Sequence, residues 1–184
     1  GNVINPLTLT EKYGTEALRM ALIVGNTPGT DLALQEEKVK AYKNFANKLW
    51  NIARFILENT QGETINNGFA EKNEFDEELR SERKNLLEDI TTDMDNFRFY
   101  LAAEKLYHYT WHRLADEIIE ESKTIFEKGT EEEKARRKQF LLHTLHKLLR
   151  ALHPFMPFIT EEIWSHVKLP EENLLLVTKW PTLG

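Results

Sequence analysis

Four long segments of the chain repeat apolar residues at three- and four-residue steps, which is the spacing of one face of an α-helix. They cover residues 35–59, 76–96, 101–127 and 131–152. Gly62, Gly129 and Pro154 follow three of these segments, and Gly and Pro interrupt helices. The pattern therefore predicts an all-α fold in which four main helices form an antiparallel bundle.

Shorter segments flank the four helices. Residues 17–23 form a helical run that residues 25–29 interrupt, and we expect a short leader there. Thr160 is expected to be the N-cap of a short helix, because its hydroxyl can accept a backbone N–H. Residues 174–181 are apolar and β-branched, which favours one extended strand. We therefore divide the chain into three parts: a leader at 1–35, a bundle at 36–168 and an extended tail at 169–184.

Composition excludes several classes of protein. The chain has 184 residues and no cysteine, which rules out disulfides and thiolate metal sites and fits a reducing cytosol. No apolar run approaches the roughly 20 residues of a membrane span, and the first residues do not resemble a signal peptide. We therefore predict a cytoplasmic location and no membrane partner. The net charge of −6 argues against a general nucleic-acid coat protein, so RNA binding would need a local basic face.

The segment at residues 40–58 has such a face. On a helical wheel its apolar residues lie on one side, and the other side is cationic and rich in asparagine. The polar side comprises Lys40, Lys43, Asn44, Asn47, Lys48, Asn51 and Arg54, with Phe55 among them. Cations contact phosphates, Asn binds base edges and an aromatic ring stacks on a splayed base, so this mixture is typical of proteins that bind RNA loops. The structural alternative is that Phe55 packs under the following loop and the Asn residues bridge to neighbouring helices.

Other conspicuous residues have structural explanations. Trp50 lies at the edge of the apolar stripe and Trp111 lies on the apolar side of the third long helix, so we expect both in the core. Residues 131–133 are acidic and residues 136–138 are basic. That order is typical of a helix that begins with acids in its first turn and continues with i,i+4 ion pairs.

Metal and catalytic motifs are not recognisable. His108 with His112, and His143 with His146, have spacings that can hold a metal ion. No cysteine or suitably placed carboxylate completes either set, so we predict no metal site. The sequence contains no P-loop, dinucleotide fingerprint or nucleophile elbow, and we predict no catalytic residue in this chain.

The residues resemble the class I aminoacyl-tRNA synthetases over nearly the whole chain. Residues 1–6 and 12–19 are similar to the segment after the Lys-Met-Ser-Lys-Ser loop of that family, which usually has Asp where this chain has Asn5. Residues 25–32 and 44–55 resemble the valyl branch. Further matches to the family's bundle are Trp111, Asp116, Glu120, residues 153–158 and residues 161–164.

This resemblance implies a function. The bundle would bind the anticodon stem-loop of valine tRNA through the polar side of the 40–55 segment, and the leader would correspond to the family's stem-contact segment. The catalytic domain of the same polypeptide, which uses ATP and Mg, would precede this chain. By that interpretation the chain alone binds no cofactor and is catalytically inactive.

Three alternatives remain at this point. One is the same domain of an isoleucyl- or leucyl-tRNA synthetase, whose sequences share the opening but diverge at 25–32 and 44–55. Another is a helical module that binds a partner protein, against which the Asn-rich basic face without an apolar patch argues. The third is a stand-alone enzyme, against which the missing catalytic motifs argue.

Overall fold

A computed structural model describes residues 5–26, 29, 34–65, 74–169 and 171–181. The leader holds α1 (Pro6–Tyr13) and α2 (Thr15–Ile23). The bundle comprises α3 (Glu36–Asn59), α4 (Glu74–Asp95), α5 (Phe99–His108), a π-helical segment (Tyr109–Ile118), α6 (Ile119–Lys128), α7 (Glu131–Leu152) and α8 (Pro157–Val167). None of these described helices is both long and apolar enough to cross a membrane. The predicted all-α bundle is confirmed. The predicted leader break at 25–29 lies partly outside the described residues.

One hydrophobic core joins the leader to the bundle. Leu9 of α1 and Met20 of α2 are buried together with Phe45 and Leu49 of α3. α3 contacts α1, α2, α7, α8 and the π-helical segment, so it is the central helix of the fold. The division at 1–35, 36–168 and 169–184 stays a prediction. The hydrophobic core is continuous across the first of these boundaries.

Local signals fix the boundary between α6 and α7. A Cβ at residue 129 would lie 2.6 Å from the carbonyl oxygen of Ile125, so only Gly129 fits at this close approach. Thr130 then begins α7 with a capping box: its hydroxyl accepts the N–H of Glu133, and the Glu133 carboxylate accepts the N–H of Thr130. The predicted pattern of acids and bases is confirmed, since Arg136 bonds Glu132 at 2.6 Å.

The third long helix contains a feature that the sequence did not reveal. Between α5 and α6 the backbone is π-helical for ten residues, a rare conformation. Arg137 of α7 is 2% exposed, and its guanidinium donates to the hydroxyl of Ser122 at 3.0 Å and to the carbonyl of Ile118 at 3.4 Å. A buried cation therefore satisfies backbone and hydroxyl oxygens where the π-helical segment ends.

The predicted N-cap at Thr160 is wrong. α8 begins at Pro157, and Thr160 lies buried within it, with its hydroxyl donating to the carbonyl of Met156. The cap comes instead from the leader. The carboxylate of Glu16 in α2 accepts the N–H groups of Phe158 at 2.6 Å and Ile159 at 2.8 Å. A cap supplied from so far along the chain cannot be recognised in the local sequence.

Arg19, one turn along α2, strengthens this joint. Its guanidinium donates to the carbonyls of Pro154 at 2.9 Å and Phe155 at 3.1 Å, in the turn between α7 and α8. Burial raises the pKa of the Glu16 carboxyl, although the two N–H donors oppose that shift. Two side chains of α2 therefore bind both the end of one helix and the start of the next.

The predicted strand in the tail is also wrong. Residues 175–177 form a single 3-10 turn, and no strand occurs among the described residues. The carboxylate of Glu161 accepts the N–H groups of Leu175 at 2.8 Å and Leu176 at 3.2 Å. The indole of Trp164 donates to the carbonyl of Asn173 at 2.9 Å. The tail thus bonds to side chains of α8 and needs no partner strand.

Replacing Glu16 tests the joint between leader and bundle. Glu16→Ala leaves the N–H groups of Phe158 and Ile159 without their acceptor, and we expect it to lower the free energy of unfolding by about 1–2 kcal/mol, as loss of an N-cap does. Urea denaturation measures this. Glu11→Ala, at an exposed position of α1, is the matched control and should change stability by less than about 0.5 kcal/mol. Equal effects of the two substitutions would contradict the assignment.

Candidate nucleic-acid interface

The structure confirms the two sides of α3. Six of the seven residues of the predicted apolar stripe are buried: Tyr42, Phe45, Leu49, Ile52, Ala53 and Ile56. The seventh, Ala46, is partly buried against the core, and Val39, just before the segment, is buried as well. Six members of the predicted polar side are exposed: Lys40, Lys43, Asn44, Asn47, Asn51 and Arg54. We call these six residues together with Lys48 and Phe55, which are partly buried, the polar stripe of α3. All eight predicted site residues therefore line one side of one helix, although they differ in what they contact.

The cations at the two ends of the polar stripe are the most accessible. Lys40 is exposed near the start of α3. Lys43 turns towards the leader, where its ammonium donates to the carbonyl of Lys12 at 3.3 Å and lies 5.9 Å from the ring of Tyr13. Arg54 makes a long contact of 3.9 Å with Glu58, and both side chains are more than 60% exposed. Such a pair is weak, so Arg54 can exchange Glu58 for another anion.

Lys48, midway along the length of the stripe and on the same side as Phe55, is engaged by the π-helical segment. Its ammonium lies 2.9 Å from the carboxylate of Asp116 and 5.6 Å from the centre of the Trp111 ring. His112 lies 3.5 Å from the other oxygen of Asp116. The hydrogen bond from Lys48 lowers the pKa of the Asp116 carboxyl. Midway along its length the stripe therefore carries an ion pair and not a free cation.

Phe55 is less exposed than the wheel predicts. Its side chain is partly buried against the core, and its ring centre lies 6.2 Å from that of Phe126 in α6. The wheel places a residue relative to its own helix only, and it cannot include a ring that a neighbouring helix brings alongside. Phe55 thus has a structural contact, with α6 and not with the following loop that the packing alternative named, while it still borders the polar stripe.

Trp50 is more exposed than predicted. It was expected in the core, but 41% of its surface is accessible. It lines a cavity of about 610 Å³ between the end of α3, residues 60–65 and the end of α8. The apolar lining includes Trp50, Leu57, Ile65, Ile163 and Val167. Arg54, His166 and Lys168 add basic groups, and Glu58 and Glu63 add acidic ones. Helical periodicity places Trp50 and Phe55 at opposite edges of the polar stripe, so an aromatic ring borders it on each side.

This cavity was not predicted from the sequence, because most of its wall comes from elements other than α3. α8 and residues 60–65 approach the end of α3 only in the folded chain. One signal was available: Trp50 and Arg54 are four residues apart, so they share a side of the helix. Trp111 was expected in the core, and it is partly buried against it.

The two histidine pairs have different surroundings. The rings of His108 and His112 stack 5.6 Å apart and are exposed. His146 bonds the carboxylate of Glu172 at 2.9 Å, and burial lowers the pKa of its imidazole. Within the described part of the chain, no group of three or more His, Asp or Glu side chains is placed to hold a metal ion.

Comparison with known proteins identifies the family. Residues 76–184, more than half of the chain, match the model of the anticodon-binding domain of tRNA ligase. The valine–tRNA ligases of Pelagibacter ubique, Clostridium tetani and Oceanobacillus iheyensis are 37%, 36% and 38% identical to this chain. Their alignments cover 99%, 98% and 100% of it. The chain spans only 21% of the length of each. These relatives favour the valyl branch over the isoleucyl and leucyl alternatives.

Solved structures support the fold independently. The LeuRS of Agrobacterium radiobacter K84, in a ternary complex with tRNA and LeuAMS, matches 100% of this chain and 21% of its own with a TM-score of 0.73 and 22% identity. The apo methionyl-tRNA synthetase of Mycobacterium tuberculosis matches 88% of this chain and 34% of its own with a TM-score of 0.68 and 21% identity. These structures show the fold, and the family model and the relatives show that the chain belongs to the anticodon-binding domain family of the tRNA ligases.

Proposed function

We propose that this chain is the part of a valine–tRNA ligase that binds the anticodon stem-loop of valine tRNA. The observation that carries the proposal is the polar stripe of α3, which is exposed, cationic and rich in Asn, and has an aromatic ring at each edge. The choice of valine as the amino acid rests on the relatives named valine–tRNA ligase, which match 98–100% of the chain.

The stripe offers each kind of contact that an RNA loop requires. Arg54 and Lys40 would bind phosphates, because both are exposed and no carboxylate of the described residues holds either of them closely. Asn44, Asn47 and Asn51 each carry both a donor and an acceptor, which suits them to base edges. Unpaired bases of a loop can leave their stack and lie on aromatic rings.

The cavity beside Trp50 would take one of these bases. Its volume of about 610 Å³ is within the usual range for small-molecule sites and leaves room for a splayed base. An apolar wall with an exposed indole suits the face of a base, and Arg54 at the rim is placed to hold the adjoining phosphate. Phe55, at the other edge of the stripe, would stack on a second base through the part of its ring that Phe126 leaves accessible.

The remaining parts of the parent enzyme follow from the relatives. About four fifths of their length lies outside this chain, and we propose that the catalytic domain, which binds ATP and Mg and attaches valine, is in that part. The leader would then be the stem-contact segment, held against the bundle by Glu16 and Arg19. We propose a cytoplasmic location for this enzyme.

Phe55→Ala separates a stacking role from a packing role. If the ring stacks on a base, tRNA binding should weaken by about 1–3 kcal/mol. Because the ring is partly buried, stability should fall by about 1–2 kcal/mol, less than the roughly 3–5 kcal/mol of a fully buried Phe. Fluorescence polarization and urea denaturation measure the two effects. The control is Phe99→Ala, another partly exposed Phe with an aromatic neighbour, which should leave RNA affinity unchanged. Normal binding by folded Phe55→Ala would mean that Phe55 has only a packing role.

Arg54→Ala tests the phosphate contact. The chain is acidic overall, so only a few cations can meet phosphates and the affinity for RNA should fall with log salt at a shallow slope. Removing Arg54 should weaken binding and reduce that slope by about 1. The matched control is Lys84→Ala, because Lys84 is an exposed cation on α4 with a similar i,i+4 partner at 3.8 Å. A slope unchanged by Arg54→Ala, or reduced equally by both substitutions, is inconsistent with this assignment.

The chain by itself should not activate valine. We expect a cooperative thermal melt of the helical circular-dichroism signal, together with no valine-dependent exchange of pyrophosphate into ATP. The full-length valine–tRNA ligase of Clostridium tetani serves as the positive control for exchange. Exchange catalysed by the 184-residue chain would show that the catalytic residues lie within it.

A further inference from the structure

One carboxylate contacts the middle of the polar stripe. Between Lys38 and Arg54 the sequence of α3 contains no Asp or Glu, so the stripe has no acid of its own along this length. Asp116 of the π-helical segment supplies one, with an oxygen 2.9 Å from the ammonium of Lys48. The acid reaches the stripe from another helix, at the position between its two accessible ends.

The ion pair divides the stripe electrostatically. Lys40 and Lys43 lie at one end of the stripe and Arg54 lies at the other. The Lys48–Asp116 pair between them has no net charge. The Arg54–Glu58 contact is longer, at 3.9 Å, and both of its partners are well exposed, so it neutralises its cation less. Lys48 also lies over the ring of Trp111, which holds its ammonium beside the stripe.

A phosphate and a base edge would meet different environments at this position. A phosphate approaching Lys48 is repelled by the Asp116 carboxylate and must displace it. A base edge is neutral, and it can donate to the carboxylate and accept from the ammonium without separating them. The flanking Asn44, Asn47 and Asn51 add donors and acceptors of the same kind around the pair.

We propose that Asp116 determines specificity at this surface by excluding phosphate from the centre of the polar stripe, so that base edges bind there and phosphates bind at the ends. The proposal rests on the proposed function and deepens it. Specificity is a difference between affinities, and a group that repels wrongly placed RNA increases that difference even when it adds nothing to the correct complex. Asp116 would therefore lower the affinity for RNA in general more than the affinity for the matching stem-loop.

Asp116→Asn in the 184-residue chain tests this proposal, because it removes the charge and keeps the size of the side chain. The probes are the anticodon stem-loop of valine tRNA and a stem-loop with the same stem and a scrambled loop. Lys48 becomes free to bind phosphate, so affinity for the scrambled loop should rise roughly three- to tenfold. Affinity for the valine stem-loop should change by less than about twofold, because its phosphates already lie at the ends of the stripe. The ratio of the two affinities should therefore fall.

Two controls separate this mechanism from a simple change of net charge. Asp89→Asn removes one negative charge from an exposed acid on α4, which lies 3.7 Å from Lys105, and it should leave the ratio unchanged. The double variant Lys48→Ala with Asp116→Asn should lose the gain, because the freed ammonium is its source. A thermal melt of each variant verifies that it is folded.

The possible failures are distinguishable. If wild type prefers the valine stem-loop and Arg54→Ala weakens binding, but Asp116→Asn behaves as Asp89→Asn does, only the role of Asp116 is overturned. If Asp116→Asn instead loses affinity for the valine stem-loop selectively, Asp116 is a direct contact and the exclusion mechanism is wrong. If wild type does not distinguish the two stem-loops and Arg54→Ala changes nothing, both this inference and the proposed function fail.

Discussion

Burial of the apolar stripe of α3 is the constraint on which the rest of the structure depends. α1, α2, α7, α8 and the π-helical segment all contact α3, and its large residues Phe45, Leu49 and Ile56 are fully buried. Turning the helix about its axis would expose these side chains, at a cost of roughly 1.5–3 kcal/mol each. The opposite side of α3 must therefore face outward, and the cations and Asn residues carried there are presented rigidly. A surface fixed by core packing keeps its side chains in one register for a ligand, which lowers the entropic cost of binding.

Electrostatics explain how an acidic chain can offer a surface for RNA. Away from α3 many cations are paired with acids, as Arg113 is with Glu82 at 2.9 Å and Lys105 with Asp93 at 2.8 Å. Such pairs add little net field around them. The polar stripe of α3 contains no acid of its own, so among the described residues its positive charges are compensated closely only at Lys48, by Asp116, and more weakly at Arg54, by Glu58. Screening confines the influence of distant acids to about a Debye length, roughly 8 Å at physiological salt, so the local pattern matters more to a bound phosphate than the net charge of −6.

The sequence predicted the features that depend on local periodicity and missed those that depend on distant partners. The bounds of α7 and the two sides of α3 follow from spacing within one helix, and both are confirmed. Thr160 was predicted to be an N-cap because nothing in the local sequence shows that the Glu16 carboxylate accepts the first N–H groups of α8. The tail looked like a strand because its β-branched residues gave no sign that Glu161 would accept its N–H groups. Trp50 was assigned to the core because a wheel cannot show that a cavity lies between it and the end of α8.

α8 connects these distant partners to the candidate site. Its first turn is bonded by Glu16 of the leader, and the Glu161 carboxylate in its second turn holds the tail. Its last turn, with Ile163 and Val167, forms one wall of the cavity beside Trp50. A helix is stiff along its axis, because backbone hydrogen bonds link each turn to the next. The position of the cavity wall relative to α3 therefore depends on the packing of α8 against α3 and α7 and also on its other end, where the leader binds it. The leader thus belongs to the same folded unit, although none of its described residues lines the cavity.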